Sequence, residues 1–369
     1  MKLLKRMLTV GMLAGLSIGL AACSTSSKSK VTTLSSGGSG NYRTVVVNGK
    51  YRTSKSRGVN SSNGNSTESL KSFDSGLTTV AKRIFSTKTY IFQEGQYLSS
   101  TTINHWLARV SSNAAGLNPK KGSSDDPNPE YIQQIEEQDY MTQDGNSLKL
   151  RGMVIGIAVN SEYQYQKETD GPYYTKTISK AEGLAKGKEA AAKILKRLRK
   201  NSKLKNIPIV IAIYRQASSD SLVGGNYVAY SRNNGSTISE WHKLNYSTKI
   251  LPKSSDATST TEDDQSDDSN FTNFKNKVQN FFPNISGVTA QAQYYNGELS
   301  GMNISVTTQF YSSSEIQSFT QYIERQAKKY LPSGIPIEIK IQTSDNEIQS
   351  VVYRNSNSDD YESHVFSSY

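Results

Sequence analysis

Ile207-Pro208-Ile209-Val210-Ile211-Ala212-Ile213-Tyr214 is a short apolar run rich in β-branched residues, which reads as a strand buried on both faces. Further on, Ile335-Pro336-Ile337-Glu338-Ile339-Lys340-Ile341 has the same Ile-Pro-Ile opening, then alternates apolar and charged residues, the pattern of a half-buried strand. The surroundings of these two strands also correspond. Gly152-Met153 opens an earlier strand, and so does Gly301-Met302. Ser179 with Glu182 makes a capping box before a helix lined by Leu184, Ala191, Ile194, Leu195 and Leu198. Ser312 with Glu315 does the same before Ile316, Phe319, Ile323, Ala327 and Tyr330. Tyr230-Ser231-Arg232 closes one copy and Val352-Tyr353-Arg354 the other. Four landmarks in one order predict a duplicated strand–strand–helix–strand–strand module. The expected fold class is α+β, each module an antiparallel sheet with one main helix packed on a face.

Upstream of the first copy, Leu70, Phe73, Leu77, Val80, Ala81 and Ile84 recur at helical spacing. Thr89 to Phe92 reads as a strand, and Ile103, Trp106, Leu107 and Val110 mark a helix capped by Ser99 or Ser100. Residues 118–130 hold three prolines and read as a loop. Composition sets the boundaries. Residues 23–66, rich in Ser, Thr, Gly, Asn and Lys, read as a flexible tether, with Tyr42 to Val47 as a short strand. Residues 67–251 form the N-terminal α+β domain and 252–270 an acidic, disordered linker. Residues 271–356 form the C-terminal α+β domain, and 357–369 a frayed tail.

The first 22 residues are of another kind. Lys2, Lys5 and Arg6 precede an uncharged apolar run, Leu8 to Leu20, too short to span a bilayer. Leu20-Ala21-Ala22-Cys23 then offers small residues for a signal peptidase, directly before the only cysteine of the chain. A thiol there can take a diacylglyceryl group, and cleavage between Ala22 and Cys23 frees an amine for further acylation. The competing readings are an ordinary secretory signal with an incidental cysteine, or an uncleaved helix. Cys23 is therefore the candidate lipid anchor, and the chain is expected on the outer face of the cytoplasmic membrane, tied there by its lipid. With that thiol used, no disulfide, Cys-ligated metal or cysteine nucleophile is available.

Setting aside the leader's three cations takes the formal charge from +11 to +8. Outside the cell this favours anionic lipid or an anionic wall polymer over nucleic acid. The cations concentrate between Lys186 and Lys205, nine against the single acid Glu189. Lys193, Lys196, Arg197 and Lys200 are the candidate contacts to an anionic surface, against the commoner reading of a plain solvated helix face.

Catalytic signals are sparse. Three histidines, His105, His242 and His364, stand far apart in sequence, and no nucleophile elbow, Walker loop or Rossmann glycine run is present. Glu136, Glu137 and Asp139 would supply a carboxylate pair for glycoside hydrolysis, but such clusters usually line a solvated helix face. No catalytic residue, metal or cofactor is expected beyond the lipid on Cys23, and the mature part is read as non-enzymatic.

Gly95-Gln96-Tyr97-Leu98, Trp106-Leu107-Ala108-Arg109 and Gly116-Leu117-Asn118-Pro119 resemble the CamS-like sex-pheromone-precursor lipoproteins of Gram-positive bacteria. Tyr90-Ile91-Phe92-Gln93-Glu94, Tyr51-Arg52-Thr53, Arg57-Gly58 and the strand from Gly152 to Gly156 are similar to that family too. The resemblance implies lipoprotein-processing enzymes as partners and a second cut within the leader. That cut would release Leu16-Ser17-Ile18-Gly19-Leu20-Ala21-Ala22 as a hydrophobic signalling peptide. Gly19 marks its departure from the Ile/Phe-rich peptide of the characterised members.

Overall fold

The computed structural model describes residues 31–34, 40–63, 67–145, 147–253, 262–281, 285–356 and 358–367. The leader and Cys23 lie outside the described residues.

A first, nine-stranded sheet takes β1 (Val31–Leu34), β2 (Arg43–Val47), β3 (Lys50–Tyr51), β4 (Ile91–Glu94), β5 (Ile132–Asp144) and β6 (Ser147–Val159). After a separate two-stranded ribbon, β7 (Glu162–Gln166) and β8 (Tyr173–Thr177), the sheet continues with β9 (Ile209–Arg215), β10 (Asn226–Asn233) and β11 (His242–Lys243). Its order is β1-β2-β4-β5-β6-β9-β10-β11, with β3 paired to β2. A second, six-stranded sheet runs in chain order through β12 (Tyr246–Leu251), β13 (Ile285–Tyr295), β14 (Glu298–Thr308), β15 (Ile337–Gln342), β16 (Ile348–Arg354) and β17 (Glu362–Val365). The helices are α1 (Val59–Asn63), α2 (Thr67–Lys82), α3 (Ser100–Leu107), α4 (Lys180–Leu198), α5 (Glu262–Gln279) and α6 (Ser313–Tyr330).

The fold is α+β, and the duplication is visible in its topology. In the first copy β5 pairs antiparallel with β6, β6 parallel with β9, and β9 antiparallel with β10. In the second, β13, β14, β15 and β16 repeat that series. Each copy thus contains one parallel pair of interior strands, because its helix crosses from one strand to its neighbour and returns the chain in the same direction. Equivalent residues make equivalent bonds. Met153 N–H donates to Pro208 O and Met302 N–H to Pro336 O, both at 3.1 Å. Ser179 Oγ accepts from Glu182 N–H and Ser312 Oγ from Glu315 N–H. The closing landmark is shifted by one residue: Arg354 pairs with Ile337, and the residue opposite the equivalent Ile209 is Asn233, not Arg232.

Three stretches differ from the boundaries expected from composition. The tether, 23–66, supplies β2 where the strand from Tyr42 to Val47 is expected, and also β1, β3 and α1; Tyr42, Val45 and Val46 are buried there. Of the linker, 252–270, residues 254–261 lie outside the described residues, while 262–270 open α5. Acids suit a helix N-terminus, where backbone N–H groups point outward. The tail, 357–369, contributes β17 to the second sheet, with Tyr361 buried before it.

The sheets meet through β10 and β12. Thr248 Oγ1 donates to Asn226 Oδ1 at 3.1 Å. Arg83, past the end of α2, donates to Tyr246 OH at 2.8 Å and lies 4.4 Å from the ring centroid of Tyr295.

Candidate functional site

The chemistry of the first sheet concentrates on β5. Its run Ile135-Glu136-Glu137-Gln138-Asp139-Tyr140 lies in a strand flanked by β4 and β6, not on a solvated helix. The two-residue period sends Glu137 and Asp139 to one face and Glu136, Gln138 and Tyr140 to the other. The acids are therefore drawn into the protein, on both sides of the sheet.

Glu137 is 3% exposed and is clamped by the turn after β4. Its Oε1 accepts the N–H groups of Gln96 and Tyr97, each at 2.9 Å, and its Oε2 accepts that of Leu98 at 2.6 Å. The turn can approach so closely because residue 95 is glycine: a Cβ there would stand 2.6 Å from the Glu137 Cβ. Asp139, fully buried, also accepts from Gln96 N–H, at 3.2 Å. Burial raises the Glu137 carboxyl, and the N–H bonds from Leu98, Tyr97 and Gln96 oppose that. Burial, and then the Glu137 charge, push Asp139 well above the ordinary carboxyl range. Burial and their mutual repulsion thus make both carboxyls hold protons more tightly than free carboxyls do.

On the other face, burial and then the Asp74 charge raise Glu136 well above its ordinary value, and Glu136 hydrogen-bonds Asp74 of α2. Gln138 bridges the neighbourhood, donating to Thr78 Oγ1 at 3.1 Å and accepting from Tyr140 OH at 2.9 Å. Glu94, at the end of β4, accepts from Ser54 N–H at 2.7 Å and Tyr51 OH at 2.9 Å. A cavity of about 220 Å³ opens here, bordered by Ser54, Arg57, Asn60, Asp74, Glu94, Glu136 and Glu137.

This geometry sorts the acids. Glu137 has its lone pairs taken by three N–H groups and acts as a tie between β5 and the 95–98 turn. Glu136, its carboxyl raised by burial and by the Asp74 charge, stands at the wall of an open cavity beside Asp74 and Glu94, the placement that donating a proton to a bound polar molecule requires. The sequence reading took the acids for a helix face and missed the clamp. The signal was their alternation with Ile135 and Tyr140, a strand period.

The remaining candidates are dispersed. His105 is exposed on α3, His242 lies on β11 beside the Tyr230 ring, and His364 lies on β17. Among the described residues no group of three His, Cys, Asp or Glu is arranged to hold a metal ion. Lys193, Lys196 and Lys200 are exposed along α4 and just past its end. Arg197 is half-buried, its guanidinium carbon 5.2 Å from the Trp106 ring centroid. Cys23 and Leu16 to Ala22 lie outside the described residues.

A duplicated α+β module with a buried acid cluster, and no described helix long and apolar enough to cross a membrane, defines the class. Residues 51–360 match the family described as CamS sex pheromone cAM373 precursor, and the chain belongs to that family. Membership implies a secreted or surface protein, and the family is not a known enzyme family. The crystal structure of a sex pheromone precursor from Lactobacillus salivarius subsp. salivarius UCC118 is 48% identical, with a TM-score of 0.85. That match covers 92% of this chain and all of the other. The C-terminal domain of the sex pheromone staph-cAM373 precursor from Staphylococcus aureus is 29% identical, with a TM-score of 0.71. It covers 83% of this chain and 99% of that one. No curated protein sequence matches the chain.

Proposed function

We propose that the chain is a lipoprotein precursor. Its leader is cut before Cys23, the cysteine carries the lipid that holds the mature protein at the outer face of the cytoplasmic membrane, and Leu16 to Ala22 is released as a signalling peptide. The observation that supports this most is Leu20-Ala21-Ala22-Cys23 at the end of a charged-then-apolar leader, in a member of a pheromone-precursor family. Only seven residues separate Cys23 from β1, a reach of at most roughly 25 Å, so the first sheet would sit close to the membrane. Mass spectrometry of culture supernatant tests the peptide: the free heptapeptide is expected, and its absence at adequate sensitivity counts against release. Fractionation of Cys23→Ala tests the anchor separately; a variant that stays in the membrane fraction sinks that part.

A second reading concerns the mature domains, taken as non-enzymatic. Lys193, Lys196 and Lys200 are exposed, and no described carboxylate pairs with them, which suits an anionic wall polymer. Alanine at these three positions, with Arg197 kept on Trp106, should reduce retention on teichoic-acid-bearing wall. Unchanged retention counts against that surface.

A further inference from the structure

A second cavity, about 310 Å³, lies where α3 ends, beside the 118–130 loop and the strand ends at Ile132 and Asn160. Leu107, Asn118, Glu130, Ile132, Gln133 and Asn160 border it. Asn118 is fully engaged: it donates to Leu107 O and Ile132 O, and accepts the N–H groups of Tyr131 and Ile132. Asn160 is not. Only 8% exposed, it donates Nδ2 to Glu130 O at 2.7 Å, which fixes its orientation, and its Oδ1 has no hydrogen-bond partner. That oxygen is buried, out of reach of a molecule in the cavity. The half-exposed Glu130 carboxylate beside it is the accessible acceptor, with Oε1 3.0 Å from Arg109 Nε. A molecule suited to this cavity brings hydrogen-bond donors.

Arg109 links the cavity to the β7–β8 ribbon. Its Nη2 donates to Tyr163 OH at 3.0 Å, and its guanidinium carbon lies 5.5 Å from the Tyr163 ring centroid. Tyr163 begins a ladder of rings. Tyr163 and Tyr165 are parallel within 7° at 6.1 Å between centroids, and Tyr165 and Tyr174 follow at 5.7 Å. The ribbon pairs only with itself, and Tyr165 and Tyr174 belong to none of the buried clusters, so core packing does not account for them. Phenol rings in series suit the C–H faces of successive sugar rings, whose hydroxyl and acetamido groups supply donors.

Charge narrows the class. Arg109 is paired with Glu130, Lys176 with Asp126 at 2.6 Å, and Lys167 with Asp125 at 3.6 Å. Cations already matched to carboxylates offer little to a polyanion. We propose that the cavity and ladder bind a neutral, hydroxyl-rich glycan, with one sugar donating to the Glu130 carboxylate and the next ones lying along Tyr163, Tyr165 and Tyr174. This surface is separate from the exposed lysines of α4 and does not depend on the leader.

The test titrates the purified mature chain with a β-1,4-linked N-acetylglucosamine tetramer by calorimetry. Saturable binding is expected. Tyr174→Ala, on the exposed ribbon, should weaken it by roughly two- to tenfold, and Tyr165→Ala should do likewise. Glu130→Gln should weaken it too, with thermal unfolding read alongside to separate misfolding from lost contact. Tyr311→Ala, exposed in the second domain, should leave affinity unchanged. Absence of saturable binding, or unaltered affinity in both ribbon variants, overturns the proposal. So does polyglycerol phosphate binding to the same ribbon in place of the tetramer.

Discussion

In the first copy of the module, every residue from Gly152 to Val159 is buried, whereas in the second copy Gly301 to Thr308 alternates between buried and more exposed positions. The pairing around these strands is the same, so topology does not cause the difference. The number of helical layers does. The first sheet carries α3 and α4 on one face, and on the other α2, whose Phe73, Leu77 and Val80 pack on Val154, Ala158 and Val210. In the second sheet α5 and α6 share one cluster with Met302, Ile304 and Val306, and Asn303, Ser305 and Thr307 take the opposite side. One backbone plan thus serves as the middle or the outer layer of a domain, according to whether alternate residues of one strand are apolar or polar.

The largest functional difference follows from the same register. Ile155 pairs with Glu137 and Met153 with Asp139; in the second copy Ile304 pairs with Ala290 and Met302 with Ala292. Where one copy clamps a turn with carboxylates, the other has methyl groups. Glu137→Ala would give the first copy the second's side chain without the second's surroundings. The N–H groups of Tyr97 and Leu98 would lose their acceptor while that of Gln96 keeps Asp139, and destabilisation of about 2–5 kcal/mol is expected from urea unfolding. Glu137→Gln keeps an acceptor and should lose less. Equal losses for the two variants would mean that the acceptor is not what matters.

A sharper paired test uses the glycines before the two methionines. A Cβ on Gly152 would stand 2.3 Å from the Phe85 ring, which is itself 1% exposed and has nowhere to move. Gly152→Ala should destabilise by about 1–3 kcal/mol. At Gly301 the nearest atom is Pro336 Cγ at 3.5 Å, an ordinary contact. Gly301→Ala should therefore stay within about 0.5 kcal/mol of the parent. If the two substitutions have the same effect, the two-layer against three-layer account of the copies fails.

Acidity should divide the copies as well. Burial first, and then neighbouring carboxylates, raise Glu136 and Asp139 above their unfolded values. The folded state then holds protons that the unfolded state has released. Stability from these groups is full below the ordinary carboxyl range and declines as pH rises through their folded values. The slope approaches about 1.4 kcal/mol per pH unit for each proton. Urea midpoints taken at steps from pH 5 to pH 8 should fall, and Glu136→Gln should flatten the fall. A midpoint that rises over that range, or a slope untouched by Glu136→Gln, would refute the proton assignment.

The two copies also show what the residues alone reveal. The Ile-Pro-Ile strands, the two Ser-x-x-Glu starts and the Gly-Met strands were legible because each rests on local geometry: a fixed proline φ, a capped helix end, a two-residue period. β5 was not legible. Glu136, Glu137 and Asp139 look like solvent-facing residues until the 95–98 turn supplies their N–H groups, and that turn lies some forty residues away in the chain. Of the strands up to Tyr51, β2 was legible as the apolar run Tyr42 to Val47, and β1 and β3 were hidden for a related reason. Tyr42, Val45 and Val46 carry the burial there, amid Ser, Gly and Asn, and the parallel partner of β2 is β4, a strand formed much later in the sequence. The acid-rich start of α5 reads as a linker by composition, yet acids at a first helical turn are favourable.

The helix starts set the smallest contrast. Ser179→Ala and Ser312→Ala should each cost about 1 kcal/mol, since each removes the side-chain acceptor of one first-turn N–H. The glutamates three residues on are identical in sequence and differ in use. Glu315 Oε2 accepts from Tyr311 N–H at 2.8 Å, beside its own cap. Glu182 Oε1 instead accepts from Tyr131 OH at 2.7 Å, tying α4 to the residue before β5. Ser312 and Glu315 therefore work on one helix end, and alanine at both should show coupling in a double-mutant cycle. Ser179 and Glu182 work on different partners, and their losses should add to within about 0.5 kcal/mol. Glu182→Ala should also loosen Tyr131 where it joins the loop that holds Asn118, an effect readable as faster amide exchange at Tyr131 and Ile132, whose N–H groups Asn118 accepts. The same substitution at Glu315 should leave those amides unchanged, because the Glu315 carboxylate accepts from Tyr311 N–H and not from Tyr131.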